Sequence, residues 1–470
     1  MELYKLTASQ ALERIRSKKI SARELIDSYI KRIEKEEEWV HAWCFFDKEI
    51  VYKQLVQIEE RLQSGQIEGH LVGIPVGVKD VFNTKDMPTE MGSSIWQGFT
   101  PGNDARVVHD IRMEGGIVMG KTVTSEFAVH HPGPTINPHD PAFSPGTSSS
   151  GSAAAVACGM VPLAIGTQTA GSIIRPASYC GLYGYKPSFG LLPRTGILKT
   201  VDPLDHVGFF TRSVNDLKLL LDALRVKGEN YPYVHRYLEN EKRQIKEESK
   251  PWKVAFVKTY VWDEVEEYTK QSISTFAEEL AKTEGITLID VELPARFEKT
   301  HDIHTTIYHK ALSYYFKEEY EEYSDKISDV FRNMVEEGKK ISLEDYRKNL
   351  EKQSVLTTEL DDFLSEFDAV ITFSTAGEAP LKESYLEEKR DTSLIWTACR
   401  VPSITAPLFK GPRGLPFGVQ VVARRYNDYR LLSFLKFLQD RGKIADSPIA
   451  ASEMRGETTV PFKQEKVTCR

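Results

Sequence analysis

The run from Pro145 to Pro187, PGTSSSGSAAAVACGMVPLAIGTQTAGSIIRPASYCGLYGYKP, constrains the fold of this chain more than any other segment. It is dense in glycine and small hydroxyl residues. It sets two serines, Ser148 and Ser172, in glycine-bounded turns that a bulky core would not need. The SSSGS loop is followed at once by AAAVACGMVPLAIG, which reads as buried, so the segment is not a flexible linker. No GK[ST] follows it, so it is not a phosphate loop. Upstream, GIPVGVKDVF carries a lone lysine, Lys79. A lysine with two serines is one of the few ways to activate a hydroxyl nucleophile without histidine, and it points to a hydrolase of amide-like bonds.

Around this block, helical and strand patterns alternate along the chain. TASQALERI and SARELIDSYIKRIEKEEE predict two capped amphipathic helices, and VYKQLVQIEERLQSG a third that ends at Gly65. VGIPVGVKD reads as a buried strand with Lys79 near its end, RVVHDIRMEGG as a helix, GIVMGKT as a strand and AAAVACGM as a small-residue helix. A strongly amphipathic helix is expected from about Ser213, followed by a Lys/Glu-rich surface connection over 226–252. WKVAFVKTY and ITLIDVELP predict strands around the helix VEEYTKQSISTFAEELAKTEG. Residues 300–365 are helix-rich, charged and aromatic; three late strands (DAVITFSTA, SITAPLF, GLPFGVQVVARR) and a last helix (DYRLLSFLKFLQDRG) close the pattern. The expected class is α/β: one large domain over 1–445, a mixed central sheet with helices on both faces, a variable helical part at about 226–365, and a C-terminal tail over 446–470.

The 470 residues are 41% hydrophobic and 27% charged, ordinary for a globular protein. A net charge of −7 argues against a nucleic-acid surface as the main business of the molecule. The five cysteines, Cys44, Cys158, Cys180, Cys399 and Cys469, show neither a CxxC pair nor metal-ligand spacing. They fit reduced, mostly buried thiols and a cytoplasmic location, with Cys180 read as core packing. The start, MELYKLTASQALERIRSKK, lacks an apolar leader pattern, and no apolar stretch is long enough to span a bilayer.

The blocks GTSSSGSAAAVA and GTQTAGSIIRPASYCGLYGYKPSFG closely resemble the amidase signature family of Ser-cisSer-Lys hydrolases and amidotransferase subunits. ELIDSYIKRIE, GIPVGVKD, GKTVTSEFA, DHVGFFTRSVNDLKLLLDAL, PSITAPL and GLPFGVQVV follow in the family's order, so the likeness runs from about residue 5 to about 440. Residue by residue, the resemblance implies that Lys79 is the catalytic lysine. It makes Ser148 the serine that follows a cis peptide bond and Ser172 the nucleophile, 24 positions on. It assigns the oxyanion hole to the backbone N–H groups of Thr169, Ala170, Gly171 and Ser172. Thr147, Ser149, Gln168 and Arg175 are expected to support these groups. The sequence departs from the family pattern at Thr147, where glycine is commoner, at Gln168 in place of aspartate, at Ala170 in place of glycine, and at Arg175, which comes one place late. With Gln168 neutral, Arg175 is expected to aim elsewhere.

The chemistry supports the same residues. Serine needs a base to take its proton as it attacks, and lysine serves only when neutral. Burial at the end of an apolar strand, near Gly73 and Gly77, lowers an ammonium pKa. A second serine between the two passes the proton along a chain of hydroxyls. A glycine turn lets successive N–H groups converge on a tetrahedral oxyanion.

The expected activity is therefore hydrolysis of a linear C–N amide, or a related ester or carbamate, of a small molecule. The resemblance leaves two alternatives: the glutaminase subunit of a tRNA-dependent amidotransferase, or an acyl-transferring amide synthase. No metal or organic cofactor, no nucleic acid and no membrane is expected; a homodimer is compatible. His301, His304 and His309 in HDIHTTIYHK lack metal spacing and read as a polar helix face. His130 and His131 lie between two catalytic blocks and read either as an entrance wall or as a satisfied loop pair. Asp205 and His206 do not make a Ser-His-Asp triad, because no GxSxG turn is present. Tyr314, Tyr315, Phe316, Tyr320 and Tyr323 read as a pocket roof or a subunit contact.

Overall fold

The computed structural model describes residues 2–65, 68–247, 249–387 and 391–450. Among these residues eleven strands form one sheet: β1 (Trp43–Phe46), β2 (Pro75–Lys79), β3 (Ile117–Thr122), β4 (Leu163–Gln168), β5 (Tyr183–Lys186), β6 (His206–Thr211), β7 (Trp252–Val257), β8 (Ile286–Val291), β9 (Ala369–Phe373), β10 (Ser403–Lys410) and β11 (Pro416–Val422). Their order is β1-β3-β2-β4-β6-β5-β10-β11-β9-β7-β8. β2 runs parallel to β3 and β4, and β7 parallel to β8 and β9; the other pairs are antiparallel. The sheet is mixed, as the alternating pattern predicts. β2 to β6, β9 and β11 are buried at every residue, which requires cover on both faces. The seven predicted strands stand where the sequence places them; β1, β4, β5 and β6 had no clear pattern of their own.

The helices follow from their caps. Thr7 and Ser21 open the helices Ala8–Arg16 and Ala22–Val40, with Gln10 and Glu24 returning the reciprocal bonds. Ser213 caps Val214–Leu224 by accepting from the Asp216 N–H. The helix Ser150–Ala157 is buried at every residue. Its small side chains are a packing requirement: a Cβ on Gly151 would run into the Ala42 carbonyl and the Val123 backbone.

Residues 226–252 hold two short helices, Pro232–Leu238 and Glu241–Gln244, rather than a plain connection. Arg243 and Gln244 tie the second of them to the carbonyls of Arg425 and Tyr426, at 2.7 and 2.6 Å. The helical region comprises Thr300–Tyr315, Lys317–Glu322, Asp329–Lys340 and Leu343–Leu364. It is fastened to the sheet by Phe127, whose ring sits 4.9 Å from Phe316 and 5.0 Å from Phe331. Glu126 adds a carboxylate that accepts from the Ser328 N–H at 3.0 Å. Phe316 is thus core, whereas Tyr314 is 76% exposed and, with Tyr315, lines a surface cavity of about 360 Å³ whose other walls are Lys317, Glu318, Glu321 and Glu322.

The start of the expected tail is docked: Ser447 N–H donates to Arg212 O and Ala450 N–H to Ala157 O. Residues 451–470, with Cys469, lie outside the described residues. Cys44, Cys158, Cys180 and Cys399 are buried, and burial pushes the Cys180 thiol up, away from thiolate chemistry. Among the described residues no helix is long and apolar enough to cross a membrane.

Candidate active site

The parallel pairing of β2 with β4 builds the site. Val78 lies opposite Ile165, so Lys79, the last residue of β2, comes alongside the end of β4. Its Nζ donates to Thr167 Oγ1 at 2.8 Å and to Ser148 Oγ at 2.7 Å. Ser148 follows a cis peptide bond from Thr147, and its carbonyl accepts from the Ser125 N–H at 3.2 Å. Ser149 Oγ donates to the Thr167 carbonyl at 3.2 Å, which ties the serine loop to β4. Lys79 is fully buried, and burial pulls its ammonium pKa down to about 7, with the nearby Asp205 carboxylate acting in the opposite direction.

Beyond β4 the chain turns through Thr169, Ala170, Gly171 and Ser172 before the helix Ile174–Tyr179. Gln168 sits under this turn. Its Oε1 accepts from the N–H groups of Ile173 and Ile174 at 2.8 and 2.9 Å, and its Nε2 donates to Thr397 Oγ1 at 2.8 Å. Arg175 makes its ion pair with Asp391 and lies 2.9 Å from His130 Nδ1. The Thr147 hydroxyl is 2.6 Å from the same His130 nitrogen, so its branched side chain faces outward from the serine loop.

A cavity of about 260 Å³ opens over these groups. Thr147, Thr169, Ala170 and Ser172 line one side; Ala128, Val129 and His130 form a second; His304, Thr305, Tyr308, His309 and Met334 come from the helical region; Arg175 and Asp391 close the end. The same ion pair also walls a second cavity of about 380 Å³, lined by Glu266, Tyr268, Ser374, Glu378 and Arg413 among others. Lys79 and Ser148 are joined beneath the first cavity, and Ser172 lines it. Among the described residues no hydrogen bond joins Ser172 to either.

The sequence assigns no site role to several contributors. Thr167 shares Lys79 with Ser148. Asp205, set aside as a triad member, accepts from Thr169 Oγ1 at 2.7 Å, and burial pushes its own carboxyl up to about 6. His206 is buried with Nδ1 against the Leu204 carbonyl at 2.6 Å, and its pKa is driven well down by burial. The polar-face reading of HDIHTTIYHK fails at His304, which is buried, lines the cavity and sits 2.9 Å from the Thr169 carbonyl. His130 belongs to the cavity wall, whereas His131 is not among its lining residues. Among the described residues no group of three or more His, Cys, Asp or Glu is placed to hold a metal ion.

The profile of the Amidase family matches residues 24–432. The chain is similar to a glutamyl-tRNA(Gln) amidotransferase component from Koribacter versatilis, 27% identical over 92% of this chain and 97% of that protein. It is also similar to the component of the same name from Carboxydothermus hydrogenoformans, 38% identical over 48% of this chain and 47% of that protein. Among solved structures, one described as an amidase superposes with a TM-score of 0.82 at 25% identity, over 93% of this chain and 100% of that one. The peptide amidase from Stenotrophomonas maltophilia has the same fold, with a TM-score of 0.78 at 23% identity over 94% and 98% of the two chains. A family match that takes in the Lys79 strand, both serines and the late strands of the sheet makes this chain a member of the amidase signature family.

Proposed function

We propose that the chain cleaves a carboxamide through a serine acyl-enzyme. Ser172 Oγ attacks the carbonyl carbon while its proton passes through Ser148 to neutral Lys79. The tetrahedral oxyanion is held by the N–H groups of the 169–172 turn. The C–N bond then breaks, the nitrogen leaves with the proton returned along the same hydroxyls, and water releases the acid by the reverse relay. The observation that carries this reading is the dry Lys79–Ser148 bond, 2.7 Å long, beneath the cavity that Ser172 lines. Catalytic hydrogen bonds of this kind tighten in the substrate complex, so the missing Ser148–Ser172 bond does not count against it.

For the substrate, the relatives favour glutamine over an unspecialised amide. They are named as components of an amidotransferase, and the alignment runs over 97% of the Koribacter versatilis protein. The Arg175–Asp391 pair at the cavity end presents a guanidinium and a carboxylate side by side, complementary to the carboxylate and ammonium of a free amino acid. On this reading the chain releases ammonia for a partner protein. This reading runs against the expectation of no nucleic-acid partner, because the relatives are named for a glutamyl-tRNA. The departures at Gln168 and Ala170 favour the second reading, a free-standing amidohydrolase.

Purified chain given glutamine and a panel of short, aryl and fatty carboxamides separates the two. Ammonia from glutamine together with a co-purifying chain supports the first; turnover of another carboxamide by the chain alone supports the second. Ser172→Ala is expected to abolish either activity with the fold intact, and full activity in that variant would overturn the acyl-enzyme.

A further inference from the structure

Three consecutive carbonyls in the turn after β4 are each held by a different element. Thr169 O faces His304 Nε2 at 2.9 Å, from the helix Thr300–Tyr315. Ala170 O accepts from Thr397 Oγ1 at 2.6 Å, from the helix Leu394–Ala398. Gly171 O accepts from the Arg175 N–H at 2.9 Å, from the helix that follows the turn. A peptide unit is planar and trans, so a carbonyl and the next N–H point in opposite directions. Fixing these carbonyls therefore fixes the directions of the Ala170, Gly171 and Ser172 N–H groups. None of those three N–H groups donates to a carbonyl of the described backbone, which leaves them free for an oxyanion.

His304 is the support that comes from the helical region, where the sequence carries no catalytic motif. Its ring is held by stacking on Tyr308, with centroids 5.5 Å apart and an interplanar angle of 23°. It is 5% exposed, and burial keeps it neutral, with a pKa of about 4. A neutral imidazole has one N–H, and a carbonyl partner at Nε2 places the proton there. Thr169 is gripped at its other end by Asp205, so the peptide plane has little freedom to rotate.

We propose that His304 is a positioning residue for the oxyanion turn: its Nε2–H sets the Thr169–Ala170 peptide plane and thereby aims the Ala170 N–H. The proposal rests on the acyl-enzyme reading and adds to it a residue from outside the Lys-Ser-Ser set.

The test compares His304→Leu, His304→Gln and His304→Asn in the full chain. Assays use a carboxamide that the wild type turns over, with active serine titrated by an aryl fluorophosphonate. His304→Leu is expected to lower kcat about 10- to 100-fold with KM nearly unchanged, because a misaimed donor is missed only in the transition state. Affinity for a boronic acid, which forms a tetrahedral serine adduct, is expected to fall by the same factor. His304→Gln, whose amide N–H still reaches the carbonyl, is expected to recover most of both; His304→Asn, one methylene shorter, is not. Unchanged kcat and boronate affinity in His304→Leu, a rise in KM alone, or equal losses in the Gln and Asn variants would each overturn the proposal. If His304→Leu does not fold, the Gln–Asn pair carries the comparison. Wild-type chain that fails to label at Ser172 would instead sink the acyl-enzyme reading, so the two failures are distinguishable.

Discussion

Lys79→Met is expected to lower kcat by about 10⁴-fold, the loss typical when a catalytic base is removed from a hydroxyl-nucleophile site. Methionine fits the buried stem and leaves no amine to desolvate, so the variant is expected to fold. The wild-type pH profile tests the same group. Lys79 accepts a proton only when neutral, and burial brings its pKa from 10.5 down to about 7. The rate kcat/KM is therefore expected to be full well above pH 7, half-maximal near it, and to fall about tenfold per pH unit below. Stability carries a matching signature. Between pH 7 and 10.5 the unfolded chain holds the lysine proton that the folded chain has lost, so this group's contribution to folding improves as pH rises through that window. Denaturant unfolding at several pH values is expected to show a shallower slope in Lys79→Met than in the wild type, the remainder coming from Lys186, which burial likewise brings down to about 7. An acid limb that survives unchanged in a residual activity of Lys79→Met would assign the ionisation to another group.

Gly171→Ala is expected to lower kcat/KM by about 10²- to 10³-fold, comparable to the loss of an oxyanion donor. A methyl group there would run into the Asp391 carboxylate. That carboxylate cannot withdraw cheaply, because it is ion-paired with Arg175 and also accepts from the Ser393 N–H at 2.8 Å. Either the turn shifts, which moves the Gly171 and Ser172 N–H groups, or the ion pair at the cavity end breaks. The overpacking is expected to cost about 1–3 kcal/mol of stability, seen as a lower denaturant midpoint at constant slope. Asp391→Ala in the same chain makes room for the methyl. The double variant is therefore expected to regain the turn geometry, and a mutant cycle measures that coupling. Near-wild-type activity in Gly171→Ala alone would mean that the turn is not the oxyanion site.

What the sequence made legible followed from local pattern. Lys79, Ser148 and Ser172 stand in dense motif blocks, and the strands read correctly were Val- and Ile-rich runs between turn residues. β5 (YGYK) and β6 (HVGFFT) escape because, with one valine between them and Gly184 and Gly208 inside, they lack that Val- and Ile-rich signature. Both glycines are packing requirements, since a Cβ on the first would strike Ala177 and on the second the Tyr185 carbonyl. β4 escaped because LAIGTQ continues the small-residue composition of the preceding helix, and β1 is only four residues long. Of the residues that support the turn, Gln168 and Arg175 stand in the motif block, whereas His304 and Thr397 have no sequence signal. His304 and Thr397 meet it from 135 and 227 positions away, and neither stands in a motif. The three histidines of HDIHTTIYHK, without metal-ligand spacing, predict a polar helix face. How the helical region packs on the turn, which only the tertiary fold decides, buries His304 against it.

The most direct test of the relay is to catch the acyl group on the enzyme. A slow ester or aryl amide substrate is mixed with the wild type, quenched in acid within the first turnover, and the digested protein is mapped by mass spectrometry. One acyl group is expected on the peptide that contains Ser172, absent from Ser172→Ala and formed far more slowly in Lys79→Met. An adduct on another residue, or turnover that proceeds with no covalent intermediate, would contradict the relay.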